Sequence, residues 1–308
     1  MLKKIVIARS YGFCMGVKRA INIAEETSAS ATEKVTILNE IVHNEAVVER
    51  FRRQGVGQTS SVDEVDGGTL IISAHGVAPD IIDKAKARGL NVIDATCPLV
   101  TRIYDIIKKV VTKDYYIIHF GDPTHDETMG IVGHAPDRIT VLSDKSQLAT
   151  MPDWADRKLA LTIQTTSNTE EALEIQRLAA EKWPQLQVFD TICDATGQRQ
   201  TAIIDLAPDV DLILVVGSRT SANSKRLASI ANTLCGKGIL IATGDEIEES
   251  WIASDQRVET VAISAGASTP DFLVEAVIDR LVAISGGTAE VVRQDRRKKR
   301  DREAYSAG

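Results

Sequence analysis

Cysteine and histidine are the residue types here best able to hold a metal or an anion, and this chain has four of the first and five of the second. Cys14, Cys97 and Cys193 each stand just before a predicted helix. There, free backbone N–H groups and the helix dipole favour the thiolate, the form that binds metal. Three thiolates meeting at one point suit zinc or an iron–sulfur cluster. No C-x-x-C pair is present, so spacing alone favours three cysteines packed as small apolar residues. The repeated context described below shifts the reading toward metal. Cys235 ends the helical pattern Ile230-Ala231-Asn232-Thr233-Leu234-Cys235 and reads as core.

His43, His75 and His125 each follow a predicted strand and precede a helical segment. One such histidine is ordinarily structural; three in equivalent places point to an anion. Ser221, Asn223 and Ser268, near helix starts, suit phosphate in the same way. Plain helix capping accounts for residues 221–224 and 268–271 equally well. Glu127 lies beside the histidines in a strand-end loop and is the candidate general acid. The competing reading is an exposed carboxylate that merely favours a helix N-terminus. Thr165 and Thr166 position a substrate hydroxyl or water, or cap the helix starting at Thr169. His119 sits in an apolar strand pattern and reads as structural.

These residues need elements to present them. Short Ile/Val/Leu runs predict strands over 4–8, 35–38, 69–73, 91–93, 115–120, 159–163, 211–217, 238–242 and 258–264. Amphipathic patterns predict helices over 17–27, 46–53, 81–87, 99–111, 169–181, 197–205, 224–234 and 270–283. Continuous apolar strands separated by such helices indicate an α/β protein with mostly parallel sheets. Nearly every residue named above falls at a strand end, where ligands bind in such sheets. Asn91-Val92-Ile93-Asp94-Ala95-Thr96-Cys97 is echoed by Gln187-Val188-Phe189-Asp190-Thr191-Ile192-Cys193: strand, Asp, two residues, Cys, helix. The echo predicts three pseudo-equivalent α/β units of about 90 residues, with a split into two domains as the alternative. The expected division is 1–97 (Cys14 and Cys97), 98–193 (Glu127 and Cys193), 194–285 (the Ser/Asn loops) and a charged tail over 286–308.

Composition sets the outer limits. At 308 residues the chain buries a core large enough to need no disulfide staple. With 44% hydrophobic and 26% charged residues it is of ordinary globular make-up. An aromatic content of 4% and a net charge of -7 argue against a nucleic-acid partner. Residues 293–303 carry seven basic and three acidic side chains, a short terminal run that reads as a solvated tail. No apolar run spans a bilayer, so no membrane partner is expected. The N-terminus reads as a first strand, not a signal peptide, and the expected compartment is the cytoplasm, where thiols stay reduced.

Several longer motifs stand in order along the chain: Tyr11-Gly12-Phe13-Cys14-Met15-Gly16-Val17, Ile41-Val42-His43-Asn44, Ser73-Ala74-His75-Gly76-Val77, Asp94-Ala95-Thr96-Cys97-Pro98-Leu99-Val100 and Gln164-Thr165-Thr166. Ile192-Cys193-Asp194-Ala195-Thr196, Val216-Gly217-Ser218, Asn223-Ser224-Lys225-Arg226-Leu227 and Ala265-Gly266-Ala267-Ser268 follow. Together they resemble the 4-hydroxy-3-methylbut-2-enyl diphosphate reductase family. The resemblance implies three α/β units in a trefoil-like arrangement around a [4Fe-4S] cluster. It implies reductive removal of an allylic hydroxyl, giving isopentenyl and dimethylallyl diphosphate in the last step of the non-mevalonate isoprenoid route. Cys14, Cys97 and Cys193 would ligate three irons, leaving the fourth for the substrate oxygen. His43, His75, His125, Thr166, Ser221, Ala222, Asn223 and Ser268 would line the substrate site. Glu127 would deliver a proton, with His125 assisting and Thr165 orienting the hydroxyl. The implied electron donor is a ferredoxin or flavodoxin.

Two positions depart from the family's pattern. Asp126 replaces a common proline, which would loosen the loop and raise the Glu127 pKa by like-charge repulsion. Ala222 replaces a usual serine, which removes one hydroxyl contact to phosphate. Three other readings stay open: an iron–sulfur hydro-lyase, a non-enzymatic iron–sulfur redox sensor, and a metal-free phosphate-binding protein.

Overall fold

A computed structural model of the chain describes residues 2–252 and 258–295. The part of the basic run from residue 296 onward lies outside the described residues. In chain order come β1 (Lys4–Ile7), α1 (Met15–Ser30), β2 (Val35–Leu38), α2 (Glu45–Arg53), β3 (Gly57–Thr59), β4 (Thr69–Ile72) and α3 (Pro79–Ala87). Next are β5 (Asn91–Asp94), α4 (Pro98–Val111), β6 (Tyr115–Phe120), α5 (Asp126–Gly133), β7 (Ile139–Leu142) and α6 (Gln147–Thr150). Then follow β8 (Lys158–Ile163), α7 (Thr169–Lys182), β9 (Gln187–Val188), α8 (Asp194–Leu206), β10 (Leu212–Val216) and α9 (Ala222–Cys235). The last are β11 (Gly238–Ile241), β12 (Thr260–Ala265), α10 (Asp271–Ile284) and β13 (Glu290–Arg293).

The strands form three parallel sheets, ordered β3-β2-β4-β5, β7-β6-β8-β9 and β11-β10-β12-β1-β13. The α/β expectation therefore holds. The chain divides into two compact units, one of residues 14–196 and one joining residues 1–13 to the chain from 197 on. Within the second, strand alternation separates two cores. Leu212, Leu214 and Val216 pack with Val261, Ile263 and Ala265 on the α10 face, whereas Ile213 and Val215 face Ala202, Leu227 and Ala231 of α8 and α9. That two-sided burial is why these strands read as continuous apolar runs. Within residues 14–196, Ile118, Phe120 and Leu161 pack beneath α7, and Ile117 and Ala160 pack beneath α4.

The structure places several elements differently from the sequence reading. β1 was expected to open the first unit, yet it pairs in parallel with β12 and β13. Its strand partners on both edges come from the far end of the chain, and Ile5, Val6 and Ile7 are buried there. β1 thus takes the place next to β12 that β5 takes next to β4 and β9 next to β8. Each metal-candidate cysteine therefore follows the same strand of its sheet. β13 lies where a charged tail was expected; its Val291 and Val292 dock on β1 as an edge strand. β3 and β7 were not foreseen, because three-residue Gly-Gln-Thr carries no pattern and both strands are edges. Helix α5 is absent from the predicted helices because Gly130 and Gly133 dilute its pattern. Both glycines are spacing devices: a Cβ at Gly130 would lie 2.8 Å from the Tyr104 hydroxyl, and one at Gly133 would strike Ala78.

Among the described residues no helix is long and apolar enough to cross a membrane. His119 is buried on β6, with Nδ1 3.0 Å from Thr162 Oγ1 and Nε2 lacking a partner. Burial pushes its pKa down from 6.5 to about 3. A depressed imidazole pKa contributes stability above the unfolded value and loses it as pH falls toward the folded one. We expect His119→Leu to gain on the wild type as pH falls from about 7 to about 4. Urea unfolding at both pH values measures this; an unchanged difference in stability contradicts it.

Candidate active site

The two echoed cysteine loops are built alike. Asp94 Oδ1 accepts the Thr96 N–H at 2.8 Å, and Asp190 Oδ1 accepts the Ile192 N–H at 3.1 Å. Each aspartate closes a tight turn that ends its strand. The Cys97 N–H then donates to the Ala74 carbonyl at 2.9 Å, and the Cys193 N–H to the Thr165 carbonyl at 3.0 Å. Each cysteine is thus tied to the neighbouring strand's end and starts a helix. Cys14 caps α1, its Sγ accepting the Val17 N–H at 3.4 Å.

The three thiols come together within residues 14–196. A Cβ built on Gly16 would lie 2.5 Å from Cys97 Sγ and 4.0 Å from Cys14 Sγ, so only glycine leaves room for the two sulfurs. Burial pushes the Cys97 thiol pKa up, and Cys14 and Cys193 push in the same direction, while the backbone N–H groups of Leu99 and Val100 pull it down. Thiols that discourage ionisation of Cys97 suit a cationic metal core, which would reverse that balance. Their soft, sulfur-only donor set fits an iron–sulfur cluster. Cys235 stands apart, its Sγ donating to the Ala231 carbonyl within α9, and packs against the core as expected.

The histidines converge as well. The rings of His43 and His75 stack at 4.1 Å between centroids, and His125 meets both edge-on at 5.3 and 5.5 Å. Glu40 Oε2 lies 2.9 Å from His43 Nδ1, which fixes that ring and leaves Nε2 on its far side. His125 caps α5, and its Nδ1 accepts the Glu127 N–H at 3.1 Å. In a neutral ring the proton is then on Nε2, a donor for an anion. His75 Nδ1 is buried without a hydrogen-bond partner, and burial, then His43 and His125, push its pKa well down.

Glu127 is only 2% exposed, which removes the surface-carboxylate reading. Its Oε1 accepts the Thr165 N–H at 2.7 Å and its Oε2 the Thr165 hydroxyl at 2.7 Å. Burial pushes its pKa up, opposed by those two hydrogen bonds. The expected cause, repulsion from Asp126, does not operate: adjacent helix positions face different ways, and Asp126 faces Asn39 and His75, its Oδ2 3.9 Å from His75 Nδ1. Asp126 is itself pushed up, first by burial and then by Glu40. Thr166 Oγ1 accepts from Gln164 Nε2 at 3.3 Å. One frame therefore runs from Cys193 through Thr165 to Glu127 and His125.

The other predicted residues lie in the second compact unit. Ser221 caps α9, its hydroxyl accepting the Ser224 N–H at 3.3 Å, and Ala222 is the first helical residue. Asn223 is 4% exposed, yet neither side-chain amide atom has a partner. A buried amide without a partner costs free energy unless a ligand completes it. Ser268 is also buried. Capping alone, the competing reading, explains Ser221 but not Asn223.

Sequence reading missed Gly16, Tyr104 and Glu40 as supporting residues. Glu40, three residues before His43, carried a usable signal. Tyr104 carried none: its hydroxyl reaches the His75 carbonyl at 3.5 Å only through folding, and a Cβ at Gly76 (φ +74°) would collide with it. For Gly16→Ala, helix propensity alone would add about 0.5–1 kcal/mol. The added methyl should nonetheless displace the Cys97 thiol, so iron retained after anaerobic reconstitution should fall by about half or more while Tm holds. Undiminished iron would contradict the crowded geometry at Gly16.

Comparison with known proteins agrees with this geometry. The model of the LytB protein family matches residues 5–282. A 4-hydroxy-3-methylbut-2-enyl diphosphate reductase of Mycobacterium sp. (strain KMS) is 37% identical, covering 94% of this chain and 87% of the relative. One from Tolumonas auensis is 36% identical over 93% and 94% of the two chains. The solved structure of the E-1-hydroxy-2-methyl-but-2-enyl-4-diphosphate reductase from Plasmodium falciparum superposes with a TM-score of 0.91 at 28% identity, covering 96% of this chain and 92% of that one. A second solved structure, titled as the terminal enzyme of the non-mevalonate pathway, matches at TM-score 0.66 and 33% identity, over 92% of this chain and 100% of that one. With its cysteines, histidines and buried glutamate arranged as described, the chain belongs to the LytB family, the oxidoreductase family of the 4-hydroxy-3-methylbut-2-enyl diphosphate reductases.

Proposed function

We propose that this protein reduces 4-hydroxy-3-methylbut-2-enyl diphosphate to isopentenyl and dimethylallyl diphosphate, releasing the allylic hydroxyl as water. The observation that carries the reading is the meeting of the Cys14 and Cys97 sulfurs at Gly16, with Cys193 close enough to act on Cys97 and joined through Thr165 to a buried carboxyl. Cys14, Cys97 and Cys193 would hold a [4Fe-4S] cluster, which when bound supplies electrons and, at an iron without a protein ligand, Lewis acidity.

The remaining steps belong to the chain's own side chains. Burial favours the protonated form of Glu127, against the two hydrogen bonds from Thr165, and makes this carboxyl the proposed proton source. Thr165 Oγ1 donates to Glu127 Oε2, and a hydroxyl can take one proton while giving another. A proton passes from Glu127 to Thr165 Oγ1, and the Thr165 proton goes to the leaving hydroxyl. Thr165 thereby orients that hydroxyl as well. His43, His75 and His125 offer ring N–H groups to the diphosphate; its negative charge offsets the burial that keeps His75 neutral. Ser221, Asn223 and Ser268 supply further phosphate donors, and the unpartnered Asn223 amide supports this role. Ala222 contributes only its backbone at a position where a hydroxyl would add a contact, and Thr166 lies beside Thr165 at the substrate side. A ferredoxin or flavodoxin is the proposed source of electrons.

The decisive experiment is anaerobic turnover of the diphosphate with a chemical reductant. The wild type should consume substrate only when reductant is present; turnover without it would establish a hydro-lyase, and none under any condition would remove the enzyme reading. Cys14→Ser, Cys97→Ser and Cys193→Ser should lose iron and activity, with Cys235→Ser retaining both. Glu127→Gln should keep its iron and bind substrate while kcat falls by about 100-fold or more. Separately, Ala222→Ser should lower KM severalfold, by about 0.5–1.5 kcal/mol for one added hydrogen bond, at unchanged kcat; an unchanged KM rules out a phosphate contact there.

A further inference from the structure

His75 is held differently from its neighbours. Glu127 is tied by two hydrogen bonds from Thr165, and the His43 ring is fixed by Glu40. His75 Nδ1 is buried with no hydrogen-bond partner, so its ring depends on stacking against His43 and on the backbone that carries it. That backbone turns sharply: the Gly76 N–H donates to the Ser73 carbonyl at 3.1 Å, and Gly76 has φ +74°. The Tyr104 hydroxyl meets the His75 carbonyl at 3.5 Å. This is long for a hydrogen bond, so packing must share in the holding.

Tyr104 reaches this point from α4, the helix that Cys97 opens, and is only 7% exposed. Its hydroxyl fills a notch between two glycines. A Cβ on Gly76 would collide with it, and one on Gly130 of α5 would lie 2.8 Å from it and 3.3 Å from the Val77 backbone. Its ring stacks on His134 at 3.8 Å between centroids, and His134 Nδ1 lies 2.8 Å from the Gly130 carbonyl. One side chain therefore touches the His75 turn on one side and, on the other, the helix that begins at His125 and carries Glu127. Burial, then Glu127 and Asp94, push the Tyr104 pKa up, so the hydroxyl keeps its proton and stays a donor.

We propose that Tyr104 is a positioning residue: lodged between Gly76 and Gly130, its hydroxyl sets the His75 turn against α5, so that His75 and His125 meet one diphosphate together. The inference rests on the histidines being diphosphate ligands. Hydrogen bonds weaken steeply once misdirected, so a small slip of the turn costs binding. Glu127 and His43 have ties of their own, so the loosening falls on His75 and spares the proton step.

Binding of inorganic diphosphate to the reconstituted holoprotein, measured by calorimetry without oxygen, gives a readout independent of turnover. Tyr104→Phe removes only the hydroxyl and should weaken that binding about threefold or more, with iron content unchanged. In anaerobic turnover its KM should rise in step, while kcat changes by less than about twofold. Gly130→Ala pushes a methyl at the hydroxyl and should weaken binding about tenfold. In Tyr104→Phe/Gly130→Ala the methyl takes the space the hydroxyl left, so about half or more of that loss should be recovered. Val110→Ala, a buried change further along α4, should lower Tm without moving the binding constant. Unchanged diphosphate binding in Tyr104→Phe overturns the inference. So does an equal weakening in Val110→Ala, which would make the effect one of general stability. If the wild type turns over no substrate while Tyr104→Phe still weakens diphosphate binding, the reductase reading fails and the positioning role stands.

Discussion

Three sulfur atoms can share a small volume only if the backbone carrying each is held rigidly at the edge of that volume. Two of these cysteines meet that requirement by the same device: an Asx turn ends the strand, and the cysteine N–H binds the end of the adjacent strand. The third caps its own helix. A helix begins at each, and backbone N–H groups of the first turn reach the thiols of Cys14 and Cys97. Gly16 supplies the remaining condition, because any side chain there would occupy the space of Cys97 Sγ. The surrounding sheets and helices serve to keep these strand ends in place.

The same strand ends carry the buried carboxyl and its partner. Thr165 has two jobs within one residue: its carbonyl accepts from Cys193, and its N–H and hydroxyl both bind Glu127. Burying a carboxyl is costly, and the two hydrogen bonds offset part of that cost while burial still favours the neutral acid. Asp126, one residue earlier, is turned toward the histidine cluster. Adjacent carboxyls thus act in different environments, set by the 3.6-residue turn of α5.

Three sheets of related strand order explain why the chemistry recurs along the chain. In each, the second-listed strand lies between an edge strand and a third, and the fourth precedes a cysteine. The fourth strand of the last sheet comes from residues 4–7, so the repeat closes through the opposite end of the chain. Parallel pairing permits this, because a parallel strand needs no hairpin to its neighbour.

Much of this was legible in the residues alone. Continuous apolar runs announced parallel strands, amphipathic spacing announced the helices between them, and the Asp-x-x-Cys echo marked two equivalent loops, because local patterns record burial directly. Cys14, Cys97, Cys193, the three histidines and Glu127 stood out through their types and their places at strand ends. The partners of those residues were not legible. That Glu127 would be buried against Thr165, that Asp126 would turn to His75, and that Gly16 would make room for sulfur are contacts between residues far apart in sequence or on different faces of a helix. Likewise, β1 finds β12 across some 250 positions. Local sequence encodes which surfaces must be buried; which other surface buries them is decided only when the whole chain packs.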